Sequence, residues 1–522
     1  QALNRIEDLK DILSKEQRQR YSLYSRLDSY QKIHFPNNFQ EYKDAKKRLA
    51  FDEFLYLQSL FGHSKEIYKT NQRSHQIQIK KSLLENFEDK IPFTLTNAQK
   101  KSINEIYSDL SKKTPMKRLL QGDVGSGKTI VAAAGVHATI DSGKQVALMA
   151  PTEVLAEQHM NSFKKYLEFL NVEMHILTSS VKDRSNVLEV IESGSPALII
   201  GTHALIQNNV NFKNLGLTII DEQQRFGVEQ RKKLTLGGDL TPHQLVMTAT
   251  PIPRTTALAI YGDLELSIID ELPPGRKKIE SKVISGGKRD NVEVFKIARK
   301  HLEEKSQIFV VCPYIEESEN SDIKAAEKVY ELYKSEFDDY NVELLHGKMK
   351  SEEKENKMID MKNGEIDIMV STVVIEVGID ITNATLMIIE SAERFGLNQL
   401  HQLRGRVGRG QKQSECIFHI TEGKSFSKIT NDGQARLKAI EQHDDGFKLS
   451  ELDLQIRGEG KVTGTTQSGL SDLKIANLRT DYEILEDSKE LFTSINDKNL
   501  KLNLFNEAKV IFPNFGKIEE TK

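Results

Sequence analysis

Gly122-Asp123-Val124-Gly125-Ser126-Gly127-Lys128-Thr129 is the stretch on which the reading of the fold turns. It fits the pattern G-x-x-x-x-G-K-[ST], whose glycines let successive backbone N–H groups point at phosphate oxygens. The pattern requires a strand before it and a helix after it. KRLLQ (117–121) supplies the first and IVAAAGVHATI (130–140) the second. A helix N-terminus adds partial positive charge at the same place. In such a loop Lys128 bridges the β- and γ-phosphates and the Thr129 hydroxyl sits on Mg²⁺, while Gly122, Gly125, Ser126 and Gly127 line the phosphates. The competing reading is an ordinary glycine turn ahead of a helix, and the flanking strand and helix speak against it.

A nucleotide bound with magnesium needs a further carboxylate. Leu217-Thr218-Ile219-Ile220-Asp221-Glu222 offers two at the end of an apolar run. A buried strand holds its last side chains rigidly at the sheet edge where α/β proteins bind ligands. Asp221 is then the magnesium partner, directly or through water, and Glu222 the group that orients and deprotonates the attacking water. Alone, an apolar run followed by Asp-Glu marks only a strand end. Together with the phosphate loop it makes a site for ATP hydrolysis.

Working outward, VALMA (146–150), ALIIG (197–201), LTIID (217–221) and LVMTA (245–249) are short continuous apolar runs separated by helical patterns. That texture predicts buried parallel strands in an α/β domain. After Pro273-Pro274-Gly275 the series restarts with IFVVC (308–312), VELLH (342–346), IDIMVST (366–372), LMIIES (386–391) and CIFHI (416–420). Two consecutive α/β units are therefore expected, over 89–275 and 276–425, with a helical segment over 1–88 and a C-terminal region over 426–522. In the N-terminal segment Leu49, Phe51, Phe54, Leu55, Leu57 and Leu60 form an apolar helix face that must pack on something.

At roughly 150 residues per domain, 522 residues leave room for three or four domains and exclude a single small binding module. Apolar residues make up 38% and charged residues 29%, enough for real cores and a solvated surface. No stretch approaches the ~18 apolar residues of a membrane span. Cys312 and Cys416 have no CxxC context, which excludes a disulfide framework or a Cys-rich zinc site and suits a reducing, cytoplasmic compartment. His203, His346, His401 and His443 lack metal-ligand spacing. The formal charge of −3 neither attracts nor excludes a polyanion; what decides is where positive charge sits. The chain opens on Gln1 rather than Met, and further polypeptide is expected upstream.

Positive charge sits at Gln402-Leu403-Arg404-Gly405-Arg406-Val407-Gly408-Arg409, in the second α/β unit. If the two units face each other, Arg406 and Arg409 reach the γ-phosphate across the cleft, a contribution of ~10³–10⁵ in rate for such an arginine. A basic surface loop is the alternative. Downstream, Arg436, Glu451, Asp453 and Arg457 lie in a hairpin-like stretch with Gly446 at a turn and Gly458, Gly460 and Gly464 beyond. The glycines suggest a loop that bends as the cleft opens and closes, with a purely bracing hairpin as the other reading.

The order of these motifs resembles superfamily 2 helicases, and within them the RecG-type branched-DNA helicases. The matching segments are FTLTNAQ (93–99), QGDVGSGKT (121–129), APTEVLAEQH (150–159), IIGTHALI (199–206), DEQQRFG (221–227), TATPIPRT (248–255), ELPPGR (271–276), STVVIEVGID (371–380) and QLRGRVGRG (402–410). DGFKLSELDLQIRGEG…GTTQSG (445–469) is similar to the translocation motif shared with Mfd. The resemblance implies two tandem RecA-like P-loop domains with parallel sheets, preceded by a helical linker and followed by a small translocation-motif region. It implies that Phe93 and Gln99 read adenine, and that Gly378 and Asp380 approach the nucleotide from the second domain. Gln224, Thr248, Thr250, Gln402, Arg436 and Arg457 would couple nucleotide state to DNA. Pro151, Thr152, Thr202, His203, Ser371 and Thr372 would grip a strand through its phosphates, which carry no base information. For any single Thr or Ser among these the plainer reading is a helix N-cap.

Two departures stand out. RecG relatives usually read DEQH where this chain has Gln224, which implies altered coupling. The family's wedge domain would precede Gln1. The function implied is an ATP- and Mg²⁺-dependent double-stranded DNA translocase acting on forks and Holliday junctions, cytoplasmic, monomeric, not membrane-bound and partnered by single-strand-binding protein. An Mfd-like motor that displaces RNA polymerase and an ATP-gated DNA clamp with little turnover are the alternatives.

Overall fold

A computed structural model of the chain describes residues 10–80, 82–170, 172–181, 184–207, 209–222, 240–248, 264–273, 277–313, 319–372, 381–410, 412–456, 473–477 and 480–513. The chain falls into two compact units, one formed by Gln1–Asn71, Ile252–Glu265 and Arg457–Lys522, the other by Gln72–Pro251 and Leu266–Ile456.

The larger unit is built on two sheets. The first contains β1 (Lys117–Gly122), β2 (Gln145–Met149), β3 (Met174–Leu177), β4 (Leu198–Gly201), β5 (Leu215–Asp221), β6 (His243–Thr248) and β7 (Glu265–Ile269). Their order is β3-β4-β2-β5-β6-β1-β7, and β1 through β6 pair parallel. The second contains β8 (Glu280–Ile284), β9 (Gln307–Cys312), β10 (Val342–Leu345), β11 (Ile368–Thr372), β12 (Ala384–Ile389) and β13 (Glu415–His419). It runs β10-β11-β9-β12-β13-β8, parallel throughout.

The continuous apolar runs follow from burial on both faces. In β2, Val146 and Leu148 enter one core while Ala147 and Met149 enter the core on the opposite face. In β9, Phe309 and Val311 go one way, Ile308, Val310 and Cys312 the other. Side chains alternate, so a strand covered on both sides favours apolar residues at nearly every position, and a polar one such as Thr218 is kept where its hydroxyl donates to a neighbouring carbonyl, here that of His243 (3.1 Å). All nine runs read from the sequence become strands. Three further strands were not legible: β3 with MHIL half-buried, β7 with ELSII and β8 with ESKVI. Each lies at a sheet edge and its run is interrupted by exposed or half-buried positions, whereas β10, the other edge of the second sheet, keeps the run VELLH.

The helix Lys128–Asp141 buries every residue from Ile130 to Thr139. Its four alanines at 132, 133, 134 and 138 allow close approach to the sheet and to the neighbouring helix Asn97–Leu110. At the base of β6, His243 is buried: its Nδ1 accepts the Met116 N–H (3.0 Å) and its Nε2 meets the His75 carbonyl (2.6 Å). Burial pushes its pKa down to about 4.

The smaller unit is helical among its described residues. Its long helix Phe39–Asn71 packs against Arg26–His34, Tyr482–Ser494 and Lys498–Ile511. The apolar face read from the sequence is buried, and its partners are Leu485, Leu491, Ile495, Leu504, Phe505 and Phe512 from the far end of the chain. Arg48, fully buried on the same helix, is ion-paired with Asp11 (2.6 Å) and Asp52 (2.9 Å). Among the described residues no helix is long and apolar enough to cross a membrane.

Candidate nucleotide site

The phosphate-loop pattern lies where the sequence put it, between the end of β1 and the helix Lys128–Asp141. Gly125 and Gly127 hold φ of +78° and +87°. Gly127 caps the helix, and a Cβ there would run into the Gln99 amide. Such a residue must be glycine on two counts, conformation and space. The Lys128 ammonium donates to the carbonyls of Gly122 (2.8 Å) and Asp123 (2.9 Å), so it spans the loop. Thr129 is half-buried in the first helical turn, and Ser126 is buried with its backbone N–H donating to the Asp123 carbonyl (3.1 Å).

Strand register places the acidic pair. Gln121 of β1 stands beside Thr248 of β6, and Asp221 of β5 stands beside Met247. The loop, Thr248 and Asp221 therefore share the C-terminal edge of one sheet, Asp221 and β1 two strand spacings or ~10 Å apart. The Asp221 carboxylate contacts His159 Nε2 at 2.8 Å. Glu222 follows in the left-handed region at φ +52°, uncommon for a non-glycine residue. Such strain of about 1–3 kcal/mol persists where the surroundings over-determine it and gathers at functional sites.

Gln99 is nearly fully buried, and both ends of its amide are engaged. Its Oε1 accepts the Thr96 N–H (2.9 Å) in a capping box, and its Nε2 donates to the Ser126 carbonyl (2.8 Å). It braces the phosphate loop directly, a position the sequence did not disclose. Phe93 is 41% exposed, edge-on to Tyr166 at 6.0 Å, with ring surface open to solvent.

The second sheet contributes the helix Leu397–Arg404. It meets the phosphate loop within the same compact unit: a Cβ on Gly405 would lie 3.1 Å from Val124 Cβ, and His401 Nε2 is 2.7 Å from Asp123 Oδ1. Arg406 and Arg409 are half-buried immediately after this contact, as is Gln402 within the helix. Burial works to raise the Asp123 carboxyl, but hydrogen bonds from His401 and the Val124 N–H, with the charge of Lys128, outweigh it and hold it below the usual range. Arg436 donates to the Glu393 carbonyl (3.0 Å).

Of the residues assigned to a DNA strand, Pro151 and Thr152 follow β2 and Thr202 and His203 follow β4, neighbouring strands whose ends pair Met149 with Gly201, while Ser371 and Thr372 belong to the second sheet. Thr152 caps the helix Glu153–Leu167, its hydroxyl accepting the Leu155 N–H at 3.3 Å, and Pro151 beside it is half-buried. Thr202 is buried and His203 exposed. Ser371 and Thr372 are buried at the end of β11. Gln224, Thr250, Gly378, Asp380 and Arg457 lie outside the described residues. Sequence reasoning missed His159 and the contact of His401. Both stand inside or next to quoted motifs, APTEVLAEQH and QLRGRVGRG, which was the available signal.

A phosphate loop on one parallel sheet, met by the arginine-bearing helix of a second, is the layout of a two-lobed helicase core. Three family models match: DEAD/DEAH box helicase over residues 96–258, helicase conserved C-terminal domain over 291–411, and the C-terminal part of domain 3 of ATP-dependent DNA helicase RecG over 443–521. The chain is 47% identical over 501 residues to the ATP-dependent DNA helicase RecG of Synechocystis sp., covering 95% of this chain and 59% of that one. It is 43% identical over 494 residues to that of Bacillus subtilis, covering 94% and 71%. A solved structure of RecG bound to a three-way DNA junction superposes with a TM-score of 0.73 at 36% identity, over 93% of this chain and 62% of that one. The chain belongs to the RecG family of ATP-dependent DNA helicases. It spans about three fifths of the length of the Synechocystis relative.

Proposed function

We propose that this chain is the motor of an ATP-driven translocase that remodels branched double-stranded DNA, regressing forks and migrating junctions. The carrying observation is the meeting of Val124 and Asp123 with Gly405 and His401, which supports a reading in which Arg406 and Arg409, the next arginines along the chain, serve the phosphate loop. The solved relative bound to a three-way DNA junction supports the choice of substrate.

In this reading the loop N–H groups and Lys128 hold the β- and γ-phosphates. Mg²⁺ suits the donors at hand. It is commonly held by one or two protein oxygens plus phosphates and water, and Thr129 and Asp221 are hard oxygen donors at one sheet edge. It would neutralise developing phosphate charge. His159 fixes the Asp221 carboxylate from behind, Glu222 orients and deprotonates the attacking water, and Arg406 and Arg409 stabilise the transferred phosphoryl group. Phe93 offers its open face to the base. Cleavage separates the lobes, and grips on the two sheets' edge loops step along phosphates. A monomeric state and contact with single-strand-binding protein complete the reading.

The test is ATP turnover with forked, linear duplex and single-stranded DNA, by this chain and by a full-length protein. Forked DNA should stimulate most in the full-length protein; equal stimulation by all three sinks the branched-DNA assignment. Lys128→Ala should abolish DNA-stimulated turnover, and normal stimulation in that variant refutes the phosphate assignment.

A further inference from the structure

The phosphate-loop pattern leaves its second position open, because backbone N–H groups and the lysine do the phosphate binding. In this chain that position, Asp123, is nonetheless heavily engaged. Its carboxylate accepts the Val124 N–H (2.6 Å), meets His401 Nε2 (2.7 Å) and accepts the Gly446 N–H (3.3 Å). Two remote stretches of chain, besides the loop's own next N–H, converge on one side chain that phosphate binding itself does not need.

The contact continues behind the imidazole. Arg404 Nη2 donates to His401 Nδ1 at 2.8 Å. A guanidinium has no acceptor, so Nδ1 accepts and Nε2 carries the proton that goes to Asp123. Arg404 is buried, and its remaining N–H groups reach the carbonyls of Ile440 (2.8 Å), His443 (2.9 Å) and Asp444 (3.2 Å). These carbonyls close the helix Asn431–Gln442, and Gly446 opens the helix Gly446–Ile456. Arginine, histidine and aspartate thus form a buried line from the 440–446 turn to the phosphate loop, and the Gly446 N–H closes it into a loop.

We propose that Asp123 and His401 are positioning residues that tie the alignment of the phosphate loop to the 440–446 turn, so that the ATP site turns over fast only when that turn is seated. The inference rests on the ATP-hydrolase reading above. Severing the tie leaves the loop glycines and Lys128 to bind nucleotide but releases the alignment needed in the transition state. Turnover therefore falls while KM for ATP changes little.

The experiment compares His401→Phe, His401→Gln, Asp123→Ala and the His401→Phe/Asp123→Ala pair in DNA-stimulated ATP turnover, with hydrogen exchange at the Gly446 amide and thermal midpoints to confirm folding. His401→Phe should lower kcat about tenfold or more, the scale of one hydrogen bond to a charged group. His401→Gln places an amide N–H near the lost Nε2 and should recover most of it. In the Asp123→Ala background His401→Phe should add little, because the partner is already gone. Asp123→Ala should also speed exchange at Gly446. A kcat unmoved by His401→Phe, full multiplication of the two losses, or failure of the Gln variant at an unchanged thermal midpoint overturns the tie. If the unaltered chain hydrolyses no ATP, the hydrolase reading fails; exchange at Gly446 then decides the tie alone, and no change there ends it.

Discussion

The C-terminal edge of the first sheet presents backbone: Gly125 and Gly127 in left-handed conformations, a helix N-terminus and a lysine folded over two carbonyls. The second sheet presents side chains. Beyond β12, Glu390 is already bound by the Tyr333 hydroxyl (3.2 Å) and His419 Nδ1 (2.7 Å), and the helix Leu397–Arg404 ends in an arginine with two more following it. Both sheets bury apolar residues on two faces in the same alternating way. Shared cores with unlike edges teach that sheet filling specifies the lobes and their edges specify the work. One edge offers fixed backbone dipoles; the other offers charged side chains.

The largest expected effect breaks the edge comparison. Arg406→Ala should reduce kcat for ATP by ~10³ or more with nucleotide binding retained, as for arginines that stabilise transferred phosphoryl charge. Glu222→Gln on the opposite edge should cost ~10²–10⁴. Single-turnover rates with separately measured nucleotide affinity check both, and unchanged rates in either variant remove that residue from the chemistry.

A second prediction sharpens the likeness of the cores. Leu148→Ala in β2 and Ile388→Ala in β12, both fully buried, should each destabilise by about 2–5 kcal/mol in denaturant titrations. A large difference between them shows that the sheets are not equivalently filled.

The smallest effect distinguishes the lobes by acid. His243 has a folded pKa of about 4 against an ordinary 6.5, so the unfolded chain binds its proton first on acidification. Its stabilising share is present above pH 6.5 and lost as pH falls towards 4, up to about 3 kcal/mol. His243→Gln should flatten that part of the stability profile of the first lobe. A profile unchanged by the substitution refutes the assignment.

Sequence disclosed the buried strands because burial on both faces leaves few polar positions, as in Val146 to Met149. It hid β3, β7 and β8, edge strands whose runs are broken by exposed or half-buried positions, while the edge strand β10 kept a readable run. The phosphate loop was legible since one short stretch holds all its parts. The contacts of Asp221 with His159, of Gln99 with Ser126 and of Asp123 with His401 were not, because each joins positions far apart in the chain whose meeting depends on strand order. For the same reason the apolar face around Phe54 announced that it needed a partner without saying that the partner was the C-terminal helices.

Ten successive residues of the helix Lys128–Asp141 are buried, and interiors this dense do not deform gradually. The helix behind the phosphate loop therefore moves only as one body with the first sheet it packs on, so any shift at the loop is carried to the strands beneath it.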